Sequence, residues 1–163
     1  MVPISPPPSP RVNQIGGIEY FVPSEASVNP TNAILLALSD LPSYLDKVLN
    51  VLGLHTEART SFITYWLPSF NKHTHIALRF LPQVSYERAA PLDITPSPDI
   101  VTRVFMLFCG IDNESLQYWK DCWAKQDEAE LSMWRDLVDV DKAKALDEKL
   151  FRVLEWGGME INV

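Results

Sequence analysis

Apolar residues run almost unbroken from Ile100 to Cys109, interrupted only by Thr102 and Arg103. The run is β-branched and aromatic, too short to cross a membrane, and apolar on both alternating faces, which predicts a central strand covered on both sides. Pro96-Ser97-Pro98-Asp99 keeps the chain out of a helix on the way in, and Gly110 is expected to close the strand. Upstream the period changes to helical. Leu41, Tyr44, Leu45, Val48, Leu49 and Leu52 recur behind Asp40, with Pro42 in the first turn and Gly53 as the stop. Thr56 then opens a second helix with Ala58, Phe62, Tyr65 and Trp66 in one stripe, ended by Pro68. So short a link predicts a helix hairpin over 40–67. From Thr74 to Leu81 the alternation of Ile76, Leu78 and Phe80 with His75, Ala77 and Arg79 predicts a half-covered strand.

Weaker patterns fill the rest. Ile15 to Val22 reads as a strand, Pro82 to Ala90 as a short helix and Leu92-Asp93-Ile94 as a short strand. Asp112 or Asn113 is expected to cap a helix bearing Leu116, Trp119 and Trp123. The helical period continues over 127–138 with Leu131, Trp134 and Leu137, as one long helix with the preceding segment or as a second helix, and a weaker helix is expected over 141–149. Leu150 to Trp156 predicts a last strand, closed by Gly157-Gly158. The fold class expected is α+β: a small mixed sheet centred near 100–109, with the hairpin (40–67) and the helical segment 112–149 packed on it. Prolines at 3, 6, 7, 8 and 10 make residues 1–14 a solvated, disordered polyproline arm ahead of a single domain over 15–163. The PxxP spacing beside Arg11 also suits a proline-recognising module, but five prolines in eleven residues produce that spacing by chance.

Composition narrows the function classes. A chain of 163 residues is one domain's worth, able to bury a core without disulfides or metal. Net charge −7 and a pI near 4.9 argue against nucleic acid, whose phosphates are bound by surplus Lys and Arg. No apolar run is long enough for a membrane span, and the first residues lack a basic region followed by an apolar one. The expectation is a cytoplasmic protein, with Cys109 and Cys122 as free thiols and a bridge between them as the other reading.

Candidate chemistry is sparse. Arg103 and Glu155 each interrupt an apolar strand. A guanidinium keeps its charge, so Arg103 on a covered strand needs a partner: Glu155, Asp99 or Asp93. Sealed inside, the pair fixes strand register; opened onto a cavity walled by Tyr65, Trp66 and Trp156, it forms a small ligand site. His73 and His75 have the spacing that places two imidazoles on one strand face, but the further ligands a zinc ion requires are not apparent in the sequence. No Gly-x-Ser-x-Gly elbow is present, and neither Gly-Gly pair leads into a phosphate-binding helix start, so no cofactor is expected.

Three separated blocks carry a resemblance: Phe62-Ile63-Thr64-Tyr65-Trp66-Leu67-Pro68, then Pro96 to Asp99 leading into Arg103-Val104-Phe105-Met106, then Leu154-Glu155-Trp156-Gly157-Gly158-Met159-Glu160. Together, across residues 28–163, they resemble a family of small uncharacterised fungal proteins and a module in bacterial proteins with YWLP, PxPD…RVFM and EWGG blocks in the same order. The resemblance implies a shared fold group and no activity. The reading it leaves is a soluble binding or interaction module that presents segment 112–149 or its strand ends to a protein or small-molecule partner. The alternative is a small metal-independent enzyme acting on an organic metabolite, with Arg103 as anion binder and Glu155 as acid or base.

Overall fold

The computed structural model describes residues 21–162. The arm expected over 1–14 and most of the strand expected over 15–22 lie outside the described residues; Phe21 and Val22, which are described, are not in a strand. Strands β1 (Ile34–Ala37), β2 (His75–Phe80), β3 (Ile100–Ile111) and β4 (Arg152–Glu160) lie side by side in chain order in one sheet. β1 with β2 and β2 with β3 are antiparallel, and β3 with β4 is parallel. The fold is therefore α+β with a mixed sheet, and β3 has a neighbour on each side.

Side chains alternate across a strand, so β3 sends Val104, Met106 and Phe108 to one face and Arg103, Phe105, Leu107 and Cys109 to the other. Helices α1 (Leu41–Val51), α2 (Thr56–Phe70) and α4 (Glu128–Val138) cover the first face, burying Leu45, Leu49, Phe62, Phe70 and Trp134 against it. The second face is covered by Phe21 and Val28, by Tyr86 and Ala89 of the short helix α3 (Gln83–Ala89), and by Leu116 and Trp119. This double cover changes the reading of β2. It is not half-covered: Ala77 and Arg79 are as buried as Ile76 and Leu78. α1 and α2 pack as the expected hairpin, and Gly53, at φ +88°, makes the turn after α1. No helix among the described residues is long and apolar enough to cross a membrane.

Several boundaries differ from expectation for identifiable reasons. Pro68 does not end α2. The missing N–H costs one bond in the last turns, and the helix continues because Phe70 is fully buried and Asn71 N–H reaches Leu67 O at 2.9 Å. Gly110 lies inside β3, paired with Ile76, and the His73 ring fills the space a Cβ there would need. Gly157 and Gly158 likewise lie inside β4, opposite Phe105 and Met106. At Gly158 a Cβ would come within 2.9 Å of the Trp66 ring and 3.0 Å of the Met106 carbonyl. These glycines permit close approach and do not stop strands. Residues 92–94 form no strand.

The helix expected from Asp112 is a single 3-10 turn, Asn113–Ser115, although Asp112 does accept from Ser115 N–H at 2.8 Å. Beyond it the chain pairs with the outer edge of β1: Leu35 N–H donates to Cys122 O at 2.7 Å and Ala124 N–H to Leu35 O at 2.9 Å. Covering an open strand edge overrides the helical period of Leu116, Trp119 and Trp123. α4 starts where expected, with Asp127 accepting from Glu130 N–H at 2.9 Å, whereas the helix over 141–149 shrinks to α5 (Lys142–Ala145).

Candidate functional site

Arg103 and Glu155 stand directly opposite each other in the parallel ladder of β3 and β4. Arg103 Nε donates to Glu155 Oε2 at 2.8 Å, and Nη1 donates to the Ala90 carbonyl at 2.6 Å. The guanidinium lies over the Tyr86 ring, 4.4 Å from its centre, and the Tyr86 hydroxyl donates to Glu155 Oε1 at 3.2 Å. Gln83 Oε1 takes the Arg103 N–H at 2.8 Å. α3 thus supplies a lid over the pair, and burial followed by the nearby Glu155 charge raises the Tyr86 hydroxyl above its ordinary pKa. Only 6% of the Arg103 side chain is exposed against 39% of Glu155. Asp99 is engaged elsewhere, accepting from Phe151 N–H at 2.7 Å. Tyr86 was missed by sequence reasoning because a two-turn helix carries no periodic stripe to mark which residue turns inward.

Tyr65, Trp66 and Trp156 do not join this pair. Trp156 follows Glu155 in β4 and points to the opposite face, where its ring centre lies 5.2 Å from Phe62 and 6.0 Å from Tyr65. Trp66 packs edge-on to Phe108 at 5.4 Å and over Gly158. The aromatic wall and the ion pair are therefore separated by the sheet. The three blocks nevertheless converge: the first supplies Trp66 and Phe62, the second Arg103, and the third Glu155, Trp156 and Gly158.

An open cleft of about 540 Å³ lies at the C-terminal ends of β3 and β4. It exists because β3 continues to Ile111 while the β4 ladder ends at the Phe108–Glu160 pair. Val28, Cys109, Ile111, Trp119 and Ile161 give it apolar wall, and Asn29, His73, Asp112, Ser115, Tyr118 and Glu160 give it polar groups. His73 Nε2 and Glu160 Oε1 are 2.6 Å apart. His75 goes elsewhere: it contacts Thr74 Oγ1 and the Trp123 ring, so the two histidines do not act together. Among the described residues no three His, Cys, Asp or Glu side chains are grouped to hold a metal ion. A second, shallower depression of about 600 Å³ lies at the other end of β3, rimmed by charges of both signs that include Arg135, Asp139, Asp141 and Lys142.

No family model, curated protein or solved structure matches this chain. The chemistry of the cleft is read from its own side chains. Both cysteines are free, and Cys109 is fully buried, with burial and then the Glu160 charge pushing its thiol up to about 11. At neutral pH it is a protonated apolar wall, not a nucleophile. Native protein at pH 8 should therefore release at most one equivalent from a thiol reagent quickly, from Cys122, and a second only after unfolding in urea. Two fast equivalents in the native state would mean that the cleft floor opens.

Proposed function

We propose that this chain is a cytoplasmic binding module that takes a small organic ligand, or the end of a partner chain, in the cleft at the strand ends of β3 and β4. The observation that carries the reading is that cleft, which sets the His73–Glu160 pair and Asp112 against the apolar wall of Val28, Ile111 and Trp119. Apolar walls with a few convergent polar groups favour binding and orientation of a small molecule. Two carboxylates on an acidic protein favour a ligand with a basic or hydrogen-bond-donating group. The free thiols support a reducing compartment, and the convergence of the three blocks supports membership of the resembled fungal fold group.

The enzyme reading loses its support at Arg103. Its Nε and Nη1 already meet Glu155 and Ala90 under the Tyr86 ring, so an anionic substrate would have to compete with Glu155 for a buried guanidinium. The test is a screen of amine-bearing metabolites and short peptides by NMR. Shifts should concentrate at Val28, residues 109–112, Trp119 and Ile161, and Ser115→Trp at the cleft should abolish them. Ligands that shift Tyr65 and Trp156 instead, indifferent to Ser115→Trp, would refute the cleft as the site.

A further inference from the structure

The two edges of the sheet are treated differently. The outer edge of β1 is bonded by residues 122–124, whereas β4, a nine-residue strand, shows no hydrogen-bond partner on its outer side among the described residues. Which backbone groups it offers follows from its bonds to β3. Ile161 N–H donates to Phe108 O at 2.7 Å, and Asp99 N–H to Phe151 O at 2.8 Å, so the odd-numbered residues of β4 face β3. The N–H and C=O groups of Arg152, Leu154, Trp156, Gly158 and Glu160 therefore point outward. Native edges are usually blunted by proline, a bulge or charged side chains; β4 has no proline and no bulge, and its charges are confined to Arg152, Glu155 and Glu160.

We infer that β4 pairs with β4 of a second copy of this chain, antiparallel about a two-fold axis at Trp156, joining two four-stranded sheets into one. The strand's own sequence selects copy and register. With Trp156 opposite itself, Leu154 faces Gly158, which lies beneath the Trp66 ring of its own chain. Arg152 faces Glu160 of the copy, giving opposite charges directly across at both ends. All five outward residues then fall in the hydrogen-bonding positions of the ladder. Glu160 uses Oε1 for His73 and keeps Oε2 for the arginine across the axis. Tyr65, 65% exposed and packed on Trp156, stands on the same face beside the axis and gains cover from its counterpart. Such pairing is isologous and closes on itself.

The full chain, 18.5 kDa as a monomer, should sediment at twice that mass across the micromolar range. Arg152→Glu, at an exposed position, should weaken the dimer at least about tenfold by placing like charges opposite one another. Glu160→Arg should weaken it similarly, and the double charge swap should restore it. Tyr65→Glu supplies an interface variant outside the strand, should a β4 variant fail to fold, and should also weaken the dimer. A monomer at every concentration would overturn the inference, as would a dimer indifferent to Arg152→Glu and Tyr65→Glu. A monomer that dimerises only when residues 1–20 are removed would show that the chain covers its own edge, and overturns it equally.

Discussion

Glu155→Leu is expected to destabilise the fold by about 3–5 kcal/mol in urea denaturation, because it leaves the buried Arg103 guanidinium without a counter-charge, held by the Ala90 carbonyl and Tyr86 alone among the described residues. The reverse change costs less. Arg103→Met leaves behind a carboxylate that is 39% exposed and already hydrated, and the methionine keeps most of the aliphatic packing, so about 1–2 kcal/mol is expected. Combining the two should recover much of the Glu155→Leu loss, since the double variant buries no unpaired charge. A double-mutant cycle reads this directly. A small loss for Glu155→Leu, with additive effects in the double variant, would mean that Arg103 is held chiefly by Ala90 and Tyr86 and that Glu155 is a bystander. The asymmetry distinguishes a guanidinium sealed by the fold from one poised for a ligand.

That pair was legible in the sequence because a charge within an apolar strand demands a partner, and the choice among Glu155, Asp99 and Asp93 was settled only by strand register. The helix hairpin was legible for a similar reason: the stripe from Leu41 to Leu52 is repeated often enough to outweigh any single competing contact. Glycine was the systematic source of error. Gly110, Gly157 and Gly158 read locally as strand ends, yet each lies within a strand, two of them beneath a ring from elsewhere in the chain. Trp119 and Trp123 show the same limit. Their helical spacing was real, but the open edge of β1 lies far from them in sequence and is visible only once the sheet exists. The cleft was invisible for the same reason, since it depends on where one strand outruns its neighbour, and the alternative of a wall of Tyr65 and Trp156 beside Arg103 could be decided only by the face on which Trp156 lies.

A final expectation concerns a buried network that joins the first and fourth helices. Tyr44 is fully buried; its hydroxyl donates to Glu130 Oε2 at 3.2 Å and accepts from Trp134 Nε1 at 2.9 Å. Tyr44→Phe should cost about 1–3 kcal/mol at neutral pH, because it leaves the indole N–H of Trp134 buried without an acceptor. The same variant should change how stability responds to alkali. Burial first, and then the Glu130 charge, raise the Tyr44 hydroxyl far above its ordinary value near 10. A group whose folded pKa lies above its unfolded one contributes stability that is complete below about pH 10 and drains away as pH rises further. Wild type should therefore lose stability faster than Tyr44→Phe above pH 10, by up to about 1.4 kcal/mol per pH unit. Cys109 and Tyr86, also raised, are present in both proteins and cancel in the comparison. Urea midpoints measured between about pH 8 and 12 should converge as the wild type loses the advantage its hydroxyl confers. Parallel pH profiles would show that the hydroxyl ionises as readily in the fold as outside it, and that water reaches the junction of Tyr44, Glu130 and Trp134.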